Sequence, residues 1–186
     1  ITATAKDGSG VKAQCKIVVP YKITYKLNKG KNHKSNPSTY FEQKITLKNP
    51  TRKGYVFKGW YTDSKFKKKI TSIAKTSKKD ITLYAKWSKV TVKKASLKKV
   101  ANVSGKKAKV TIKKVSGVKG YQVLYSTDKK FKKNVKKVLT KKTTCTLTKL
   151  KKKKTYYVKV RAYKLDSKGE KVFGAYSKVK TVKIRK

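Results

Sequence analysis

The stretch Gly54-Tyr55-Val56-Phe57-Lys58-Gly59-Trp60-Tyr61 packs four aromatic residues and two glycines into eight positions of a chain otherwise dominated by lysine. Asn49-Pro50-Thr51-Arg52-Lys53 ahead of it has the residue types of a turn. On either side the pattern has period two. Tyr21, Ile23, Tyr25 and Leu27 alternate with Lys22, Thr24, Lys26 and Asn28, and Ile81, Leu83, Ala85 and Trp87 alternate with Thr82, Tyr84 and Lys86. Such alternation marks strands with one buried and one wet face. Tyr40 to Leu47 reads as a further strand region. Residues 64–76 are the one place for a short helix or an irregular crossover, because Phe66, Ile70 and Ile73 fall at helix-compatible spacing. Residues 21–87 therefore form a small β module around the aromatic stretch. Tyr55, Phe57, Trp60 and Trp87 read first as its core, since a small module depends on large buried rings. The sharper alternative makes Trp60 or Tyr61 a stacking platform for a sugar or peptide.

Three segments carry a family resemblance: Tyr21-Lys22-Ile23-Thr24-Tyr25-Lys26-Leu27-Asn28, the run from Leu47 to Asp63 with its GYxFxGWY signature, and Ile81-Thr82-Leu83-Tyr84-Ala85-Lys86-Trp87. Together they resemble a Listeria–Bacteroides repeat, the B-repeat of internalin-type and other bacterial surface proteins. The resemblance implies a small β-grasp-like fold outside the cell, acting as a repeat or adhesive spacer. Asn28-Lys29-Gly30 departs from the Asn-Gly-Gly turn common in that family, and lysine there makes the turn less secure.

Residues 88–94 read as a short linker. Beyond them strand signals recur at sandwich spacing. Ala108, Val110 and Ile112 alternate with lysine and threonine, Tyr121, Val123 and Tyr125 follow a glycine-bearing turn, and Tyr156, Val158, Val160 and Ala162 face inward against Tyr157, Lys159, Arg161 and Tyr163. Gly120 to Ser126 and the run from Leu150 to Ala162 resemble a fibronectin type III domain, which implies a β-sandwich over 95–186. Leu150 and Tyr156 have the spacing of a tyrosine corner, whose hydroxyl bonds back to the chain. Ile112 stands where that family usually has a core tryptophan, and Lys152 where a proline is common.

Residues 1–20 alternate on both sides of Asp7-Gly8-Ser9-Gly10, a hairpin-turn sequence. They resemble the last two strands of a bacterial immunoglobulin-like domain of group 2. Ala13, Cys15, Ile17 and Val19 are expected to share a buried face that docks on the next module or on another chain. With no methionine and with Ile1 opening in mid-pattern, the chain reads as part of a longer one.

The balance of 55 Lys+Arg against 7 Asp+Glu leaves a formal charge of +48. Charge of this size suits a disordered chain, but the sustained alternation places most lysines on the solvent faces of strands. Arg52, Arg161 and Arg185 are the only arginines. Specific nucleic-acid recognition favours the planar fork of arginine and a clustered basic stripe, so no specific nucleic-acid partner is expected. Unspecific attraction to polyanions is expected, weakening with salt. Lys151, Lys152, Lys153 and Lys154 form the densest run and read as a solvated turn, with an anion site as the alternative.

The acids are scattered without a close pair for acid–base work, His33 is the only histidine, and no zinc, calcium or phosphate-loop spacing occurs. No catalytic residue, metal or cofactor is expected. Cys15 and Cys145 read as small apolar strand residues in different segments rather than as a disulfide. No hydrophobic run is long enough to span a bilayer. The whole reads as a mainly β, non-catalytic segment of a secreted or cell-surface protein of a Gram-positive bacterium. Its partners would be anionic cell-wall polymers or glycans, and a carbohydrate- or host-protein-binding adhesin is the alternative.

Overall fold

The computed structural model describes residues 2–14 and 17–185. It divides into two units, Ile1–Thr51 with Phe57–Trp87 and Arg52–Val56 with Ser88–Lys186. Among the described residues the regular elements are all strands.

The first unit begins with a hairpin of β1 (Thr2–Thr4) and β2 (Lys12–Gln14). Asp7 closes its turn by accepting the Ser9 N–H at 2.9 Å. The described residues of the apolar face are uncovered within this chain. Ala13 is exposed, and Ile17 and Val19 stand 62% and 76% exposed; Cys15 lies outside the described residues. A two-stranded ribbon has no second layer against which to bury a face.

The remaining strands of this unit are β3 (Tyr21–Lys26), β4 (Thr39–Tyr40), β5 (Ile45–Thr46), β6 (Tyr55–Tyr61), β7 (Lys69–Ile70), β8 (Ser72–Ile73) and β9 (Ile81–Lys89). A five-stranded sheet runs β4-β3-β9-β6-β7, and β5 pairs with β8 in a separate two-stranded sheet. At the centre β3 and β9 are parallel, with Ile23 opposite Ile81 and Tyr25 opposite Leu83. A parallel pair needs a long crossover, and residues 27–80 supply it. Ile23, Tyr40, Ile45, Leu47, Trp60, Ile73, Leu83 and Ala85 form the core. Tyr25 packs against it and donates its hydroxyl to the Pro37 carbonyl at 2.9 Å, while burial pushes its pKa up to about 12.

No helix crosses residues 64–76, so the helical alternative is corrected and the segment is an irregular crossover. Phe66 sits at φ 57°, a left-handed conformation that no right-handed helix contains. Ile70 ends β7 and Ile73 ends β8. The Asn28-Lys29-Gly30 turn forms in spite of its lysine. Asn28 and Lys29 take φ of 49° and 67°, and the Gly30 N–H closes the turn on the Leu27 carbonyl at 2.9 Å. Gly30 is required for space, since a Cβ there would lie 2.6 Å from Trp87 Cζ2.

The second unit is a β-sandwich. Its strands are β10 (Leu97–Val103), β11 (Lys107–Ile112), β12 (Gly120–Ser126), β13 (Lys136–Thr140), β14 (Thr144–Leu147), β15 (Thr155–Leu165), β16 (Lys171–Phe173) and β17 (Lys180–Lys183). One sheet is ordered β10-β11-β14, the other β13-β12-β15-β16, and β17 also pairs with β15. Val110, Val123, Val158, Val160, Ala162 and Ile184 lie fully buried between them, as the alternation predicts. Ile112 fills the position of the family's tryptophan and is buried too. Val92 packs against this core, as does Cys145, whose thiol burial pushes above its usual range. Arg52–Val56 belongs to the same unit: the Gly54 N–H donates to Asp166 Oδ2 and the Arg52 N–H to Ser167 Oγ, each at 2.7 Å.

Acidic residues serve these folds as acceptors for backbone N–H groups more than as partners of lysine. Among the described residues one ion pair forms, Lys78–Glu42 at 3.8 Å. Asp7, Asp63, Asp80, Asp128 and Asp166 all accept backbone N–H bonds. Two of these loops agree at all but their third position, Thr62-Asp63-Ser64-Lys65-Phe66-Lys67-Lys68 and Thr127-Asp128-Lys129-Lys130-Phe131-Lys132-Lys133. Asp63 takes the N–H groups of Lys67 and Lys68, and Asp128 those of Lys130, Lys132 and Lys133. In both, the phenylalanine turns left-handed, at φ 57° and 55°. Those backbone bonds hold both carboxyls below the usual aspartate range.

A carboxyl whose pKa is lower folded than unfolded stabilises fully above its unfolded value, and that contribution disappears as pH falls through the folded value. Thermal melts of Asp128→Asn should show a lower Tm than the parent at pH 7 and a shallower decline in acid. A parent melt that stays flat through the aspartate range would contradict this role.

Candidate functional site

The aromatic candidates occupy different environments. Trp60 is 2% exposed, its ring is met edgewise by Tyr25 at 5.3 Å and Phe57 at 5.4 Å, and its Nε1–H donates to the Lys48 carbonyl at 3.1 Å. Little of the ring is exposed, and Trp60 is among the residues that line a hollow beside Gly59. Tyr61 is half-buried, with Phe66 edge-on at 5.5 Å and the Lys86 ammonium 5.3 Å from each ring centroid. Gly59 explains the local backbone, since its φ of 130° is one that side-chain-bearing residues rarely adopt. The Lys69 stem lies over it. The hollow beside it, lined by Trp60 together with Leu47, Phe57 and Ile70, holds about 240 Å³. That is below the span of roughly 300–1,000 Å³ usual for small-molecule sites.

The lysine run divides in two. Lys151 and Lys154 line a cleft of about 580 Å³ at one end of the sandwich, together with Lys136, Lys149, Asn134 and Tyr157. Lys152 and Lys153 are exposed but do not line it. The cleft lies between the turn linking β12 to β13 and the loop linking β14 to β15. Asn134, Lys149 and Lys153 take φ of 53°, 55° and 60° around it. The tyrosine corner braces the second loop: the Lys151 N–H donates to the Tyr156 hydroxyl at 3.0 Å. Lys153 N–H reaches the Ile184 carbonyl at 2.8 Å, and Ile184 N–H returns to the Lys154 carbonyl at 3.0 Å. Backbone bonds therefore hold the loop while its side chains remain free to take a ligand.

No aspartate or glutamate lines the cleft. Four ammonium groups without a counter-charge attract anions, and each can give a charge-assisted hydrogen bond to phosphate or carboxylate oxygen. As flexible point charges they select for charge more than for shape. Lys136 and Lys149 were not distinguishable among so many lysines, because convergence comes from pairing β12 with β13 and from the corner loop. Among the described residues no group of His, Cys, Asp and Glu is placed to hold a metal ion, and no helix is long and apolar enough to cross a membrane.

Residues 21–86 match the Listeria-Bacteroides repeat domain and residues 88–174 match the fibronectin type III domain. No curated protein sequence matches the chain. Solved structures similar to it include an Fn3-like protein from Clostridium thermocellum, at 21% identity and TM-score 0.41, covering 51% of this chain and 95% of that one. The fn3 domain of human contactin 1 is 17% identical with TM-score 0.41, covering 52% of this chain and 84% of that one. Chicken CNTN1 FN1-FN3 domains are 15% identical with TM-score 0.47, covering 100% of this chain and 76% of that one.

Proposed function

We propose that the chain, whose residues 21–86 match the Listeria-Bacteroides repeat domain and 88–174 the fibronectin type III domain, works as a non-catalytic spacer and adhesive segment of extracellular type, held to anionic cell-wall polymers. Domains of these kinds are typical of extracellular or cell-surface bacterial proteins, and anionic wall polymers of a Gram-positive envelope suit the charge. The observation that carries the reading is the lysine cleft of the sandwich, which is lined by four lysines and no acidic residue. Its force comes from the balance of 55 Lys+Arg against 7 Asp+Glu, which leaves most of the cationic coat without a counter-charge. Packing against another chain through residues 1–19 is a second contact of the same segment, supported by the exposure of Val11, Ile17 and Val19.

Co-sedimentation with purified Gram-positive cell walls, before and after chemical removal of their anionic polymers, tests the reading. Replacing Lys136, Lys149, Lys151 and Lys154 together by glutamine should weaken binding by roughly tenfold or more near physiological salt and reduce its salt dependence. Binding that survives both stripping of the polymers and high salt would instead favour an adhesin for a neutral glycan or a protein.

A further inference from the structure

The outer face of the β13-β12-β15-β16 sheet holds cations of another kind. Arg161 and Lys159 sit two residues apart on β15, both half-buried. The Arg161 guanidinium lies 3.9 Å over the Phe173 ring and 4.6 Å over Tyr176, and the Lys159 ammonium lies 4.0 Å over Phe131 and 4.6 Å over the same Tyr176. Rings and cations thus alternate across the face in the order Phe131, Lys159, Tyr176, Arg161, Phe173. Gln122, opposite Arg161 in register and itself buried, fixes the arrangement. Its Oε1 accepts from Arg161 Nε at 2.8 Å and from the Tyr176 hydroxyl at 3.3 Å.

The planar Arg161 guanidinium can stack flat on the rings, where the Lys159 ammonium meets them as a point charge. Stacking leaves the outer end of the guanidinium unused. Arg161 is committed through Nε alone, and no hydrogen bond engages its two Nη groups among the described residues. No carboxylate neutralises it or Lys159 among those residues. Two like charges two strand positions apart repel, and the rings and Gln122 hold them in place against that repulsion.

We propose that Arg161 and Lys159 form a preorganised oxyanion site: the free Nη pair of Arg161 grips two oxygens of one phosphate or carboxylate, and the Lys159 ammonium meets the same group or its neighbour on an anionic polymer. The site rests on the wall-polymer reading and deepens it, because a forked donor held by Gln122 selects geometry where the lysine cleft selects charge. It makes the sandwich a reader of acid groups with two equivalent oxygens.

The test uses the full chain with two probes, poly(glycerol phosphate) and polygalacturonate, which separate phosphodiester from carboxylate. Arg161→Lys keeps the charge and removes the fork. It should weaken binding of one polymer by roughly tenfold while leaving the slope against salt concentration unchanged. An Arg161→Lys protein that binds both polymers within about twofold of the parent overturns the site. If that happens while the four-lysine cleft variant loses binding, the wall-polymer reading stands and this site falls. Should Arg161→Lys disturb the fold, the parent chain decides the matter. Its Arg161 Nε–H resonance should shift and saturate as glycerol phosphate or galacturonate is added, and an unmoved signal at saturation overturns the site.

Discussion

Trp60→Ala should unfold the core of the first unit, at a cost of about 3–5 kcal/mol. The side chain is 2% exposed on β6 and touches the edge-on rings of Tyr25 and Phe57. Truncation would leave a void that Ile23, Ile73 and Leu83, themselves fully packed, cannot close. It would also remove the indole N–H bond to the Lys48 carbonyl at 3.1 Å, leaving that carbonyl with the Asn36 Nδ2 bond at 2.9 Å alone. Trp60→Phe separates these effects, since it keeps most of the volume and loses the bond, a loss of about 0.5–1.5 kcal/mol. Urea unfolding followed by the fluorescence of Trp87, the other tryptophan, measures both. A Trp60→Ala protein with an unchanged midpoint would show that the ring is dispensable to the core and would return it to consideration as a ligand platform.

Tyr156→Ala should damage the sandwich comparably, by about 3–5 kcal/mol, because an aromatic core side chain and a loop brace are lost together. The ring is buried and lies 6.2 Å from that of Tyr125. Its hydroxyl accepts the Lys151 N–H at 3.0 Å, at the entrance to the segment that places Lys151 and Lys154 in the cleft. Tyr156→Phe isolates the hydroxyl and should cost about 1–2 kcal/mol. It should also loosen the loop, seen as faster hydrogen exchange at Lys151 and Lys153 while the centres of β12 and β15 keep their protection. Unchanged exchange at those two amides would remove the corner from the account of the cleft.

Much of both folds was legible in the alternation. The inward sets Ile23–Leu83–Ala85 and Val158–Val160–Ala162 are buried as their period implies, and the bond between Lys151 and Tyr156 follows from the spacing of the corner motif. Two patterns left more than one outcome open. Phe66, Ile70 and Ile73 have helical spacing, but the same spacing arises when short strands follow a tight turn. The Asp63 carboxylate settles the choice by taking the Lys67 and Lys68 amides. Ala13, Ile17 and Val19 have the pattern of a buried face, yet the pattern records only that a face is apolar and supplies no layer to cover it.

What the amino-acid order determined by itself is local: which residues are strands, which face of each strand is apolar, where the chain turns, and which families those signatures belong to. These follow from a two-residue period and from the backbone limits of glycine, proline and asparagine, which act over a few residues. The tertiary structure alone decided which of the many lysines meet. Lys136, Lys149, Lys151 and Lys154 converge because a strand pairing and a corner loop bring distant segments to one end of the sandwich. Arg161 gains its stacked, forked geometry from Phe173, Tyr176 and Gln122, which reach it across the sheet. In a chain this uniformly basic, charge is present everywhere in the sequence, and only the long-range pairing of strands turns part of it into a site.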